Sequence, residues 1–200
     1  MRWIFALLLL VVCPELLAQS TLPVQVGKQK PPRDIGPFTE FFEDKSGDTL
    51  PLVVIQQQQF LPFSQKRNER TTEADQSLLV TWLRFRIQNT NPTDTLRLFF
   101  DCWQGHYITV YENNYKLART GIGVVRPAGS PNTSAVLLRI APGQTNMYYV
   151  QSVSYIMSVV PIVSLLYTPE DMYKYTLENV YFESPLLVYL SLVCGSLLFM

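Results

Sequence analysis

The stretch Leu78 to Gln88, LLVTWLRFRIQ, decides the fold. Read as extended chain, it places Leu79, Thr81, Leu83, Phe85 and Ile87 on one side and Val80, Trp82, Arg84 and Arg86 on the other. A period of two with this contrast belongs to a β-strand whose first face enters a core and whose second face is expected to be largely wet. The same signal recurs on either side. Asn89 to Asp94 is built of turn-forming residues, and Thr95 to Asp101 follows with Leu96, Leu98 and Phe100 on one face. Tyr107 to Tyr111 carries Ile108 and Val110 inward, Glu112-Asn113-Asn114 turns the chain, and Lys116 to Arg119 returns it. After a loop rich in Gly, Pro, Ser and Asn from Gly121 to Thr133 come Ala135 to Ile140, a turn at Ala141-Pro142-Gly143, then Asn146 to Ser154 and Val159 to Tyr167. The β-branched run Leu52 to Gln58 reads as a further strand upstream. Short strands at regular spacing, with no crossover helices, predict an all-β antiparallel β-sandwich, in its jelly-roll form.

The flanks of this region differ in kind. Arg2, the apolar run Ile4 to Val12, Pro14 and a small residue at Ala18 make residues 1–18 a secretory signal peptide, too short for a comfortable membrane span. The alternative is an uncleaved anchor. A lipoprotein reading through Cys13 suffers from Val12, which stands where a small residue is needed. Residues 19–50, with their Gln, Lys, Pro and Gly, read as an extended lead-in with little power to form a core. The sandwich is expected over 51–168. Residues 169–183, aromatic and charged together, read as a helix or linker toward the membrane, with tyrosines suited to its interface. From Ser184 to Met200 there is no charged residue, so 184–200 is read as the beginning of a transmembrane helix, the alternative being a buried C-terminal element.

Composition narrows the function. Apolar residues make up 48% and charged residues 16%, with 16 basic and 16 acidic side chains. A net charge of zero gives no basic excess to neutralise phosphates, so no nucleic-acid partner is expected. Cys13 and Cys194 lie in the two apolar segments and Cys102 stands alone in the folded region. That excludes a disulfide framework and a CxxC metal site, and an exported domain built this way suits a bacterial periplasm or cell surface. Asn132-Thr133-Ser134 matches a glycosylation sequon that a bacterial origin would leave unused. His106 is the one histidine, so any Ser-His-Asp or Cys-His mechanism would have to run through it. With no phosphate-cradling glycine motif and too few zinc ligands, no cofactor, no metal and no enzymatic activity are expected.

What remains is a surface for binding. Trp82, Arg84 and Arg86 occupy the outward side of the deciding strand, and Trp103, His106, Tyr107 and Tyr111 lie in the neighbouring segments. Aromatic rings beside guanidinium forks stack on sugar faces and grip carboxylates, so these seven are the candidate ligand-binding residues. The competing reading is structural, since Trp and Tyr often close the ends of a sandwich core and Arg is ordinary on an exposed strand face.

Several pieces together resemble a known family. They are Trp82-Leu83-Arg84-Phe85-Arg86-Ile87-Gln88-Asn89, Tyr107-Ile108-Thr109-Val110-Tyr111, Pro142-Gly143 followed by Tyr148-Tyr149-Val150, Pro161 to Leu165, and Gly195-Ser196-Leu197-Leu198-Phe199-Met200. In this order they resemble the extracellular domain of bacterial seven-transmembrane receptors with diverse intracellular signalling modules, over about residues 50–200. The resemblance implies a periplasmic jelly roll similar to carbohydrate-binding modules, ahead of seven helices and an intracellular kinase, cyclase, phosphatase or DNA-binding module. It implies no catalytic residues. The expected function is therefore sensing of a small molecule, carbohydrate or other, by a domain anchored to the membrane through its C-terminal helix. The alternatives are a structural or adhesion module that binds a partner protein, and a fragment of a carbohydrate-active enzyme.

Overall fold

The computed structural model describes residues 22–27, 30–44, 46, 50–63, 79–103, 106–121, 123–124, 135–154 and 163–177. The expected signal peptide (1–18), the start of the transmembrane helix (184–200) and the sequon at Asn132 lie outside the described residues. Among the described residues no helix is long and apolar enough to cross a membrane.

Ten strands form two sheets among the described residues: β1 (Val24–Val26), β2 (Glu40–Asp44), β3 (Leu61–Pro62), β4 (Leu79–Asn89), β5 (Leu96–Trp103), β6 (Tyr107–Glu112), β7 (Tyr115–Thr120), β8 (Val136–Ile140), β9 (Thr145–Ser154) and β10 (Val163–Tyr167). The larger sheet has the order β3-β2-β4-β9-β6-β7, with β1 also paired to β4, and the smaller has the order β10-β5-β8. All pairs are antiparallel except β1 with β4. The β4/β9 pair of one sheet continues into the β5/β8 pair of the other. One antiparallel ribbon thus folds across the sandwich, which is the jelly-roll move. Asn89 stands at the fold of that ribbon. Its buried side chain donates to the carbonyls of Asp94 (2.8 Å), Ile140 (3.0 Å) and Ala141 (3.2 Å) and accepts from Asn91 N–H.

The alternation in the deciding strand builds the core as expected. Leu83, Phe85 and Ile87 meet Leu98, Phe100, Leu138 and Ile140 of the opposite sheet, with Phe85 and Phe100 rings 5.0 Å apart across the sandwich. Leu79, at the strand's first position, remains 40% exposed. The turns also follow the sequence. Asn113 takes φ +52° in the β6–β7 hairpin and Gly143 takes φ +67° in the β8–β9 turn, a region that asparagine and glycine tolerate best.

Three expectations are corrected. Residues 19–50 do not merely lead in: β1 and β2 join the larger sheet, and Val24, Val26, Ile35 and Phe41 are part of the core. The pattern VQV and the pair Phe41-Phe42 supply strand faces that the surrounding Pro and Lys obscure. Leu52–Ile55 is a helical turn, here α1, rather than a strand. Pro51 at its start pre-sets the backbone, and a three-residue spacing turns Leu52 and Ile55 inward while Val53 stays exposed. Finally, the second face of β4 is not largely wet. Val80 and Trp82 are buried beneath residues 50–60, where they join Ile55, Phe60 and Tyr149 in a second apolar cluster.

Candidate functional site

The outer face of the larger sheet carries five of the seven residues singled out in the sequence: Trp82, Arg84 and Arg86 on β4, and Tyr107 and Tyr111 on β6. The intervening strand β9 brings the two sets together by pairing with both, so that Arg84, Tyr149 and Tyr111 stand in one row across the sheet. Trp82 is fully buried, with its ring stacked on Tyr111 at 5.9 Å. Arg84 lies over the Phe60 ring at 4.3 Å and its Nε donates to Glu40 Oε2 at 2.6 Å. Phe60 packs in turn on Phe42 and Tyr149. Burial raises the Tyr111 pKa above the ordinary tyrosine value, against the opposing pull of Arg119. The covering segment is fastened at its far side by Gln56, whose amide donates to Asn114 at 2.7 Å in the β6–β7 hairpin. At its near side, Asp44 accepts from Ser46 and from the backbone N–H of Leu50. The aromatic and cationic groups expected to meet a ligand here meet the protein's own chain.

The other candidates fall away from that cluster. Arg86 is half-buried one row further along β4. Tyr107 is half-buried beneath the Arg119 guanidinium, 5.0 Å from its ring, and Gly123 lies so close that an added Cβ would come within 2.9 Å of the same ring. His106 uses its backbone N–H to reach the Val153 carbonyl at 3.0 Å. Trp103 ends β5 in the smaller sheet, and its side chain lies outside the described residues. Among the described residues no group of three or more His, Cys, Asp or Glu side chains is placed to hold a metal ion.

A second arrangement, on the smaller sheet, was not singled out in the sequence. β10 passes through Thr168 directly into a helix over 169–177. Thr168 Oγ1 accepts from Asp171 N–H at 3.1 Å and donates to Asp171 Oδ2 at 2.9 Å, and Pro169 occupies the first helical position. Thr168-Pro169-Glu170-Asp171 is thus a capping motif that sequence alone displays. The helix folds back so that Tyr175 packs on Tyr167 at 5.5 Å, and Met172 is buried. The segment at residues 30–35 clamps this junction. Leu166 N–H donates to the Arg33 carbonyl at 2.8 Å and Ile35 N–H to that of Ser164 at 3.1 Å. Arg33 lies over the Tyr167 ring at 5.2 Å, and Lys30 pairs with Asp171 at 2.6 Å. Hydrogen bonding to Tyr167 raises the Arg33 pKa, and burial raises that of Tyr167 despite Arg33. Lys30 and Thr168 lower the pKa of Asp171. The last strand, the exit helix and the N-terminal segment therefore form one seam.

No curated protein matches the chain. Among solved structures, the GH31 alpha-xylosidase from Xanthomonas citri is similar at 11% identity with a TM-score of 0.37, over 66% of this chain and only 13% of that enzyme. The model of the family described as 7TMR-DISM extracellular 2 matches residues 36–165, a span that begins before β2 and ends within β10. That match covers well over half of the sequence and nearly all of the sandwich, and on it the chain belongs to the 7TMR-DISM extracellular 2 family, an extracellular domain of seven-transmembrane receptors.

Proposed function

We propose that the chain is the ligand-sensing part of a membrane signalling receptor, standing in the periplasm or at the cell surface, and that it works by binding rather than by catalysis. Residues 1–18 carry it across the membrane and 184–200 begin the first span. The ligand is a small molecule, with carbohydrates the first class to test, and the signal passes to an intracellular module. One observation supports this reading above the rest: the last strand of the sandwich leads without a break into a capped helix that is clamped to the smaller sheet. Only six residues separate position 177 from the charge-free run that starts at Ser184. A ligand that binds two arrangements of the sandwich unequally shifts the helix between two settings, and no other coupling is needed.

The test is a thermal-shift screen of the membrane-extracted chain against neutral, acidic and basic small molecules, followed by hydrogen exchange at residues 169–177 with each compound that stabilises. A stabilising compound that alters exchange in the helix supports the sensor. Binding with no effect on the helix contradicts it, and hydrolysis of a glycan would replace it with an enzyme.

A further inference from the structure

The outer faces of the two sheets differ. The chain's own residues 50–60 cover the larger one. On the smaller one, Leu137, Phe99 and Tyr167 form a row in which Tyr167 lies under Tyr175 of the exit helix. One row along, on the same face, Arg97 of β5 and Arg139 of β8 stand directly opposite each other. Both are exposed, and among the described residues neither joins an ion pair. Like charges opposed across a strand pair are destabilising unless an anion joins them.

The exit helix carries apolar groups on two sides. Met172 is buried and Tyr175 packs on Tyr167, whereas Tyr173 is 68% exposed and Leu177 37%. Each helical residue turns the chain by about 100°, so Tyr173 and Leu177 stand about 40° apart and each about 160° from Tyr175. They therefore point away from the smaller sheet, to the side that Arg97 and Arg139 face. We propose that this side of the domain rests on the phospholipid surface of the membrane, with Tyr173 and Leu177 in the interface and the two arginines on lipid phosphates. Six residues separate Leu177 from the charge-free run at Ser184, and even fully extended they reach at most about 25 Å, so the helix cannot leave the bilayer's vicinity. Tyrosine suits the level of the headgroups, and guanidinium forks match phosphate. The helix stands above the sheet, so its apolar face enters deeper than the arginines do. The neighbouring carboxylates leave room for this. Asp101, on the same sheet face, is buried, Asp171 is paired with Lys30, and Asp94 accepts from the Asn91 amide. Glu170 shares the helix face one turn before Tyr173 and stands with the arginines in the ionic layer, and the exposed Lys174 flanks the stripe.

This surface rests on the reading of 184–200 as the first span. The experiment places the full chain in vesicles of phosphatidylglycerol and phosphatidylcholine, the latter brominated near the glycerol end of its acyl chains. Tyr173→Trp, Leu177→Trp and, as a control on the larger sheet, the 82% exposed Tyr115→Trp are read in a Trp3→Phe, Trp103→Phe background, where buried Trp82 gives the common signal. Bromine is expected to quench the probes at 173 and 177 and to spare the one at 115. Adding Arg97→Gln and Arg139→Gln should lower the docked-to-undocked ratio about fivefold for each arginine. The inference is overturned by absent quenching at 173 and 177, by equal quenching at 115, or by arginine variants without effect. Blue-shifted emission without quenching would mean that a second copy of the chain covers the helix, and overturns it too. A chain that fails to float with the vesicles removes the span reading along with this surface, whereas a floating chain without quenching removes the surface alone.

Discussion

Glu40 and Arg84 face each other on adjacent strands and form an ion pair of 2.6 Å in which the carboxylate side chain is 5% exposed and the guanidinium 22%. The pair sits at the edge of the aromatic cluster, with Phe60 stacked over the arginine. A carboxylate this buried depends on its partner, because the cost of stripping its water is offset only by the charge beside it. Arg84→Met should therefore destabilise the domain by about 3 kcal/mol, measured by urea unfolding. Glu40→Gln, which removes the charge and keeps an acceptor, should cost clearly less. Equal losses in the two variants would mean that packing, not charge, dominates.

Phe60 tests whether the covering segment is part of the fold. Phe60→Ala removes the ring that contacts Phe42, Tyr149 and Arg84, and should cost about 3 kcal/mol. The emission of Trp82, read in a Trp3→Phe, Trp103→Phe background, should move to the red as water reaches the indole. An unchanged spectrum would mean that residues 50–60 do not shield it.

Asn89 holds the corner where the ribbon changes sheets. Asn89→Ala leaves three carbonyl acceptors without this donor, at about 2–4 kcal/mol in total. Asn89→Asp should be worse than alanine, since it turns an acceptor against three carbonyls. Denaturant midpoints in the order wild type, alanine, aspartate check this.

Alkali should unfold the domain through its buried phenols. Burial raises the pKa of Tyr148, reinforced by its bond to the Glu112 carboxylate, and burial also raises those of Tyr111 and Tyr167. The unfolded chain releases these protons near pH 10 while the folded chain holds them. The associated stability is complete below that pH and is lost as pH rises through the folded values. Tyrosinate absorbance should thus appear together with loss of the β-sheet signal. Tyr148→Phe should flatten the dependence.

The seam behaves oppositely toward acid. Asp171 titrates below the ordinary carboxylate because of Lys30 and Thr168, so its contribution is present above about pH 4 and is lost as pH falls through the lower folded value. Thr168→Ala should weaken the helix start by about 1 kcal/mol without disturbing β4 or β9, as read by residue-level exchange.

How much of this was legible in the sequence follows from the physics of each segment. Strands β4 to β9 were readable because period-two alternation and turn residues act locally, and Asn113 and Gly143 mark their turns in plain view. β1 and β2 were not, since β1 has only three residues, Glu40, Glu43 and Asp44 surround the apolar pair of β2 with charge, and the burial of both strands depends on β4, a distant partner. The outer-face residues were correctly placed on one side of the sheet, but no local rule announces that residues 50–60 return to cover Trp82. Thr168 and Asp171 could have been found from their spacing. Lys30 and Arg33 could not, because they meet the helix only after the sandwich has closed.

The most direct measurement is hydrogen exchange of the intact chain in a lipid bilayer, comparing the helix at 169–177 with strand β10. If the seam joins the sandwich to the membrane, amides from Met172 onward are protected and their opening free energy follows that of Leu165 and Leu166. Exchange of these amides at the rate of an unstructured peptide, beside a protected β10, would contradict the account.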